Sequence, residues 1–231
     1  MDKVIALNIS FNNGNNAIYP TLLSDEHNLV LIDCGYVGFF PLIEKALRAQ
    51  GYTAADLTHI LITHHDHDHM GCLSDFKKSH PNIKVVTSEI EEPYISGKKK
   101  SLRLEQAEKL QPKLNGIQRT NGIHFINILR SVEPVAVDIT VRDGDILPWV
   151  GGVKVISTPG HMPGHISLFL EKFNVVVAGD AMVIEDGRLE VANPIYTLDS
   201  VTAKKSFDRI LRLNPNKIIC YHGGPMEINS D

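Results

Sequence analysis

The stretch "THHDHDHMG", Thr63 to Gly71, sets four histidines and two aspartates into six consecutive positions, His64 to His69. It begins where "THILIT" (58–63), an apolar and β-branched run that reads as a strand, comes to its end. A polar cluster at a strand end lies on a loop held by a rigid scaffold, which is where function usually sits. Imidazole and carboxylate are the common ligands of divalent zinc, iron and manganese. The six side chains cannot all reach one point. If the segment is extended, His65 and His67 point the opposite way from His64.

Three more candidate strands end the same way. "STPGHMPGH" (157–165) carries His161 and His165, "VVVAGDAM" (175–182) carries Asp180, and "IICYHGGP" (218–225) carries His222. One such ending means little. Four, each on a Gly-containing turn, are the pattern of ligands converging at one edge of a sheet. A single structural zinc needs four ligands. Here there are enough for two ions bridged by a carboxylate, and such a pair, roughly 3.5–4 Å apart, clamps a hydroxide and polarises a carbonyl or phosphoryl oxygen.

The rest of the chain supplies the frame. Strand candidates lie at 4–10, 29–35, 83–88, 135–141, 153–157, 166–170, 175–178 and 217–220. "PLIEKALRAQG" (41–51) has Pro at its start, Gly at its end and an apolar stripe of Leu42, Ile43, Ala46 and Leu47, which predicts a helix. A second helix is expected over 201–213. Residues 89–124 are polar, with a helix expected from about Ser101 to Leu110, and read either as a cap over the site or as a long surface excursion. No repeat or Pro-rich linker divides the chain, so one domain over 1–231 is expected. Two successive sets of strands, each with helices, predict an α/β fold with helices packed outside a double sheet.

Composition narrows the class. The 231 residues are 43% hydrophobic and 22% charged, with a net charge of -4. A nucleic-acid binder would usually show a basic surplus, so no nucleic-acid partner is expected. The basic run Lys98–Lys100 reads as a solvated turn. The three cysteines, Cys34, Cys72 and Cys220, show no CxxC spacing and read as reduced, buried thiols. The N-terminus lacks an apolar core of signal-peptide length and no run approaches a membrane span. A cytoplasmic protein with no membrane partner is expected. His27, His59, His80 and His124 have no partner at ligand spacing and read as surface or hydrogen-bonded residues.

Taken in order, "LIDCG" (31–35), "THHDHDHMG", "TPGHMPGH", "AGDAM" and "YHGGP" resemble the metallo-beta-lactamase superfamily of hydrolases. The resemblance covers roughly residues 4 to 225. It implies a four-layer αββα sandwich of two mixed β-sheets packed face to face. The superfamily's first motif, T-H-x-H-x-D-H, aligns on Thr63 and on Asp68-His69. His64 becomes the first ligand, and Asp66 stands where the pattern has its second histidine. The resemblance implies one metal held by His64, Asp66 and His161, and another by Asp68, His69 and His222. Asp180 and a hydroxide bridge them. Replacement of histidine by aspartate is expected to keep a ligand at position 66, with His65 or His67 as the alternative substitute, and the harder aspartate oxygen tilts preference toward iron or manganese. Asp33 and His165 are candidates for orienting a ligand from behind.

The implied cofactors are two divalent metal ions, zinc first, with iron or manganese as alternatives. The implied reaction is attack of the bridging hydroxide on the carbonyl of an ester, lactone or thioester, with Asp68 orienting the hydroxide or passing a proton to the leaving group. The expected partner is a small-molecule substrate. The oligomeric state stays open, a homodimer included. With few residues after His222, neither the C-terminal domain of glyoxalase II nor a flavodoxin-like domain is expected. The homoserine lactonases of the superfamily carry a tyrosine where this chain has Val183, and Tyr196 or Tyr19 is a candidate replacement. Two other classes remain open on the sequence: an iron-dependent dioxygenase or redox protein, and a non-catalytic metal-binding sensor.

Overall fold

The structure, a computed structural model, describes residues 1–228. Its strands are β1 Lys3–Ala6, β2 Ile9–Phe11, β3 Asn16–Ile18, β4 Thr21–Ser24, β5 Leu29–Ile32, β6 His59–Leu61, β7 Lys84–Ser88 and β8 Ile139–Val141. They continue with β9 Ile146–Leu147, β10 Val153–Ser157, β11 Ile166–Leu170, β12 Val175–Gly179, β13 Val183–Glu185, β14 Arg188–Glu190, β15 Lys217–Cys220 and β16 Gly224–Glu227. The helices are α1 Phe40–Ala49, α2 Leu73–Ser79, α3 Glu92–Ile95, α4 Leu102–Leu110, α5 Gly116–Ser131 and α6 Ser200–Leu211.

Two six-stranded sheets carry the molecule, in the orders β1-β4-β5-β6-β7-β8 and β16-β15-β12-β11-β10-β9. Both are mixed. In the first, β5 to β8 run parallel and β1 and β4 antiparallel. In the second, only β12 and β15 pair in parallel.

Alternation along the strands explains the layers. Leu22, Leu31, Ile60 and Val85 face outward from the first sheet and meet Ile43 and Leu47 of α1 and Leu73 and Phe76 of α2. Their strand neighbours Leu23, Val30, Ile32, Leu61 and Val86 face inward. There they meet Val153, Val155, Leu168, Leu170, Val175, Val177 and Ile219 of the second sheet, with Trp149 between. The outer face of the second sheet, Val176, Ala178, Ile218 and Cys220, packs on Phe207 and Ile210 of α6. A period-two strand buried on both faces reads as an unbroken apolar run, as "LVLI" and "VVVAG" do. The result is the αββα sandwich.

Some elements differ from the sequence reading. The run 4–10 is not one strand: pairing with β4 ends at Ala6, and β2 belongs to a separate hairpin with β3. Of 135–141 only Ile139–Val141 pairs, because Val135 and Asp138 spend their N–H groups on Ile95 and Val85 outside the ladder. The polar segment does not end at 124. It carries α3 and α4, and α5 runs on to Ser131. Lys98 and Lys100 are exposed and pair with Glu92 and Glu108. All three cysteines are free and buried. No described helix is long and apolar enough to cross a membrane.

Candidate metal centre

The parallel strands β5 and β6 end beside each other, so Asp33 and Thr63 meet at one rim of the first sheet. The loops after β10, β12 and β15 form the facing rim of the second. The Ile166 N–H donates to the Thr63 carbonyl at 3.2 Å and ties the two rims together. Beyond Thr63 the chain turns instead of extending. The N–H groups of His69 and Met70 both donate to the Asp66 carbonyl, at 3.0 and 3.1 Å, which folds Asp66, Asp68 and His69 onto one side. Gly71 closes the turn. A Cβ there would lie 2.3 Å from the His67 carbonyl and 2.4 Å from the Val37 nitrogen, so no larger residue fits without backbone movement.

The clustered ligand atoms form three overlapping groups: His64, Asp66 and His161; Asp68, His69 and His222; and His64, His69 and Asp180. Asp66 Oδ2 lies 3.1 Å from His161 Nε2 and 3.6 Å from His64 Nε2. Asp68 Oδ2 lies 3.2 Å from His222 Nε2 and 3.9 Å from His69 Nε2. Asp180 stands between them. Its Oδ1 is 3.3 Å from His69 Nε2 and 3.7 Å from His222 Nε2, while its Oδ2 is 3.5 Å from His161 Nε2.

Whether these residues fit metal ions can be tested on their unpaired atoms. His64 Nε2, His69 Nε2 and Asp180 Oδ1 are buried with no hydrogen-bond partner. Buried polar groups almost always have a partner, so three orphans aimed at one space need an occupant. The donor set, imidazole nitrogen and carboxylate oxygen, suits zinc, iron or manganese. The residues fit.

Charge accounts for the protonation states. Burial alone would raise the Asp180 carboxyl; the surrounding histidines, His69 foremost, outweigh it and hold it well below the usual carboxylate range. Asp68 is held down in the same way by His69 and His222. Burial depresses His64. Burial also opposes the charged form of His69 and His222, but Asp180 and its neighbours raise both.

Behind the cluster the ligands are oriented. Asp33 Oδ2 accepts from His69 Nδ1 at 2.9 Å, and Asp33 Oδ1 accepts the Thr63 N–H at 2.8 Å. The Thr63 hydroxyl meets His64 Nδ1 at 3.0 Å. His165 Nε2 accepts the Asp180 N–H at 2.9 Å, and its Nδ1 meets the Thr158 hydroxyl at 2.8 Å. Both Asp33 and His165 therefore act from behind the site. Gly179 makes room for the His165 ring, since a Cβ there would lie 2.7 Å from its Nε2. Cys220 stays in the core between β15 and α6.

His65 does turn away. It stacks on Tyr94 at 4.4 Å between ring centres and pairs with buried Glu91. His67 does not: it joins none of the ligand groups, yet it lines the cavity beside Tyr36 and Phe125. That cavity, about 460 Å³, opens onto Asp66, Asp68, His161, Asp180 and His222. Val183 and half-exposed Tyr196 line it, whereas Tyr19 packs against Gly224. The sequence reading passed over several of the lining residues, Tyr36 and Arg103 among them. Tyr36 follows the "LIDCG" strand closely, which is a usable signal. Arg103 has none, lying in a polar helix as its sole buried residue, with most of its neighbours half-buried.

Two mixed six-stranded sheets with histidines and carboxylates clustered where their rims face each other define a metal-site class of αββα protein. The sequence model described as the metallo-beta-lactamase superfamily matches residues 14–222. The probable metallo-hydrolase YflN of Bacillus subtilis (strain 168) is 30% identical over 224 residues, 91% of this chain and 81% of that one. A hydroxyacylglutathione hydrolase of Photobacterium profundum is 42% identical over 72 residues, 31% of this chain and 26% of the other. A metallo-beta-lactamase family protein from Thermus thermophilus shares the fold at a TM-score of 0.75 and 24% identity, covering 97% of this chain and 74% of that one. The chain belongs to the metallo-beta-lactamase superfamily.

Proposed function

We propose that this protein hydrolyses a small carboxylic ester, lactone or thioester with two divalent metal ions, zinc first among the candidates. His64, Asp66 and His161 would hold one ion and Asp68, His69 and His222 the other, with Asp180 facing both groups. One observation carries the reading: Asp180 presents Oδ1 to His69 and His222 and Oδ2 to His161, so a single carboxylate faces both groups. When bound, such an ion pair lowers the pKa of its water and polarises a carbonyl.

The chain's own residues do the rest. Asp33 fixes the His69 ring from behind, and His165 fixes the backbone of Asp180. Asp68 keeps its carboxylate ionised at neutral pH and faces the cavity, where it would orient the nucleophile or take the nucleophile's proton and pass it to the leaving group. A cavity of about 460 Å³ is of small-molecule size. An apolar groove lined by Ala107, Leu110, Leu114, Phe125 and Ile195 opens beside it and shares Arg103, Phe125 and Tyr196 with it. This supports a substrate with an apolar arm.

The test combines metal analysis with turnover on lactone, thioester, ester, phosphodiester and β-lactam substrates. Two ions per chain and turnover of a carboxylic substrate are expected, with Asp68→Asn, assayed in metal excess so that both positions are filled, losing most of the rate. Full turnover by Asp68→Asn removes that residue's role. Oxygen uptake with bound iron and no hydrolysis overturns the reading.

A further inference from the structure

The two groups of ligands differ in one respect that the superfamily motif does not announce. Arg103, on the first turn of α4, is 2% exposed and reaches into the His64–Asp66–His161 group. Its Nε donates to Asp66 Oδ1 at 3.1 Å and its Nη2 to Asp66 Oδ2 at 2.6 Å, a two-pronged pair. Nη2 also lies 3.5 Å from His161 Nε2 and donates to the Tyr196 carbonyl at 2.6 Å. Nη1 is held by Gln106 Oε1 at 2.8 Å. The guanidinium is thus fixed at every nitrogen, and it lies against two of the three atoms that this group offers a metal, Asp66 Oδ2 and His161 Nε2. No lysine or arginine among the described residues pairs with Asp68 or Asp180.

We infer that Arg103 competes with metal for Asp66, so that the His64–Asp66–His161 position fills after, and binds more weakly than, the Asp68–His69–His222 position. This rests on the two-ion reading of the site. Three physical points carry it. Apart from the shared Asp180, the Arg103 charge cancels that of Asp66, leaving the first position neutral, while the second keeps the charge of Asp68. Like charges repel, and the repulsion is strong where water is excluded. A buried, bidentate arginine cannot simply withdraw, because leaving its charge unpaired is costly. Aspartate at position 66 also offers the fork two oxygens, which a histidine there could not, so the departure from the superfamily motif and the arginine form one device.

The test is a titration of the metal-stripped full chain with zinc against a chromophoric chelator, which reads affinity and not turnover. The wild type is expected to bind one ion tightly and a second weaker by about tenfold or more. Asp66→Asn is expected to lose the weak ion and keep the tight one. Arg103→Met, checked for folding by circular dichroism, is expected to strengthen the weak ion and narrow the gap. Two wild-type ions of indistinguishable affinity overturn the inference, as does loss of the tight ion in Asp66→Asn. A folded Arg103→Met whose weak ion is unchanged or weaker also overturns it, since Arg103 then positions Asp66 for the metal. If Arg103→Met does not fold, the wild type and Asp66→Asn decide alone. A wild type that binds no ion stoichiometrically removes the two-ion reading itself, a result distinct from two equal ions.

Discussion

Among single residues Asp33 carries more of the site than its place outside the histidine tract suggests. It sits at φ 60°, a left-handed conformation uncommon for a residue with a side chain. That backbone aims one buried carboxylate at the Thr63 N–H, the Thr63 hydroxyl and His69 Nδ1 together. Asparagine keeps the size but turns an amide toward donors that need an acceptor. Asp33→Asn is therefore expected to weaken zinc binding by about 10–100-fold, the usual cost of removing a ligand's supporting carboxylate. Chelator competition measures it, and unchanged affinity removes the orienting role. At this scale the sequence was informative where candidate ligands alternate with turn residues, as at His161, Asp180 and His222, which the structure brings into one cluster. It was silent on Arg103, because a buried arginine and a solvated one look the same in a polar helix.

The decisive elements are α3, α4 and the loop before them, which lie against the metal-centre turn. Glu91 is fully buried. Its Oε2 accepts the His65 N–H at 2.9 Å and also meets His65 Nδ1, and its Oε1 accepts the Gly164 N–H at 2.9 Å. His65 Nε2 then accepts the Leu102 N–H at 3.2 Å in the first turn of α4. One carboxylate thus ties the histidine loop, the loop after β10 and, through His65, the helix that bears Arg103. Glu91→Gln puts an amide against three donors and is expected to cost about 1–3 kcal/mol in urea unfolding at pH 7. Limited proteolysis should also cut the 97–116 region faster. A variant as stable and as resistant as wild type would show that the tie contributes nothing. The expected helix from Ser101 to Leu110 is there, capped by the Ser101 hydroxyl. The following α5 was not legible, since "GIQRTNGIHFINILRS" has Gly and Asn in its interior and low intrinsic propensity. Ile126 and Leu129 are buried, so packing holds the C-terminal half of that helix.

For the whole molecule, two linkages are open to measurement, one between the sheets and one through the metals. Asp25, in the β4–β5 turn, accepts the Val150 N–H at 2.8 Å and so joins the first sheet to the segment before β10. Slight burial raises its carboxyl, but the Val150, His27 and Asn28 N–H groups lower it further, and the net shift is downward. A depressed carboxyl stabilises above its unfolded value of about 3.9 and loses that contribution as pH falls through the folded value. In metal-free protein, Asp25→Asn should therefore be less stable by about 1 kcal/mol at pH 7, with the gap closing below about pH 4. A gap independent of pH assigns the effect to packing instead.

The metals run the linkage in the same direction through different groups. A native chain leaving His64 Nε2, His69 Nε2 and Asp180 Oδ1 unpartnered gains stability from any ion that partners them. At a free zinc concentration a hundred times Kd the gain is about 2.7 kcal/mol. For a chain of this length that raises Tm by about 5–10 °C. The ligands must shed protons first, and the carboxylates around His69 and His222 make both histidines hold theirs more tightly than a free imidazole. Acid therefore competes with metal over a range that starts above the ordinary histidine value of about 6.5. The zinc-dependent rise in Tm should therefore be largest at alkaline pH, begin to shrink above the ordinary histidine value and keep falling as the pH drops below it. Scanning calorimetry with zinc and with chelator at each pH measures it. A zinc effect of the same size at pH 5 and pH 8 would mean that the ion binds outside the histidine and carboxylate cluster.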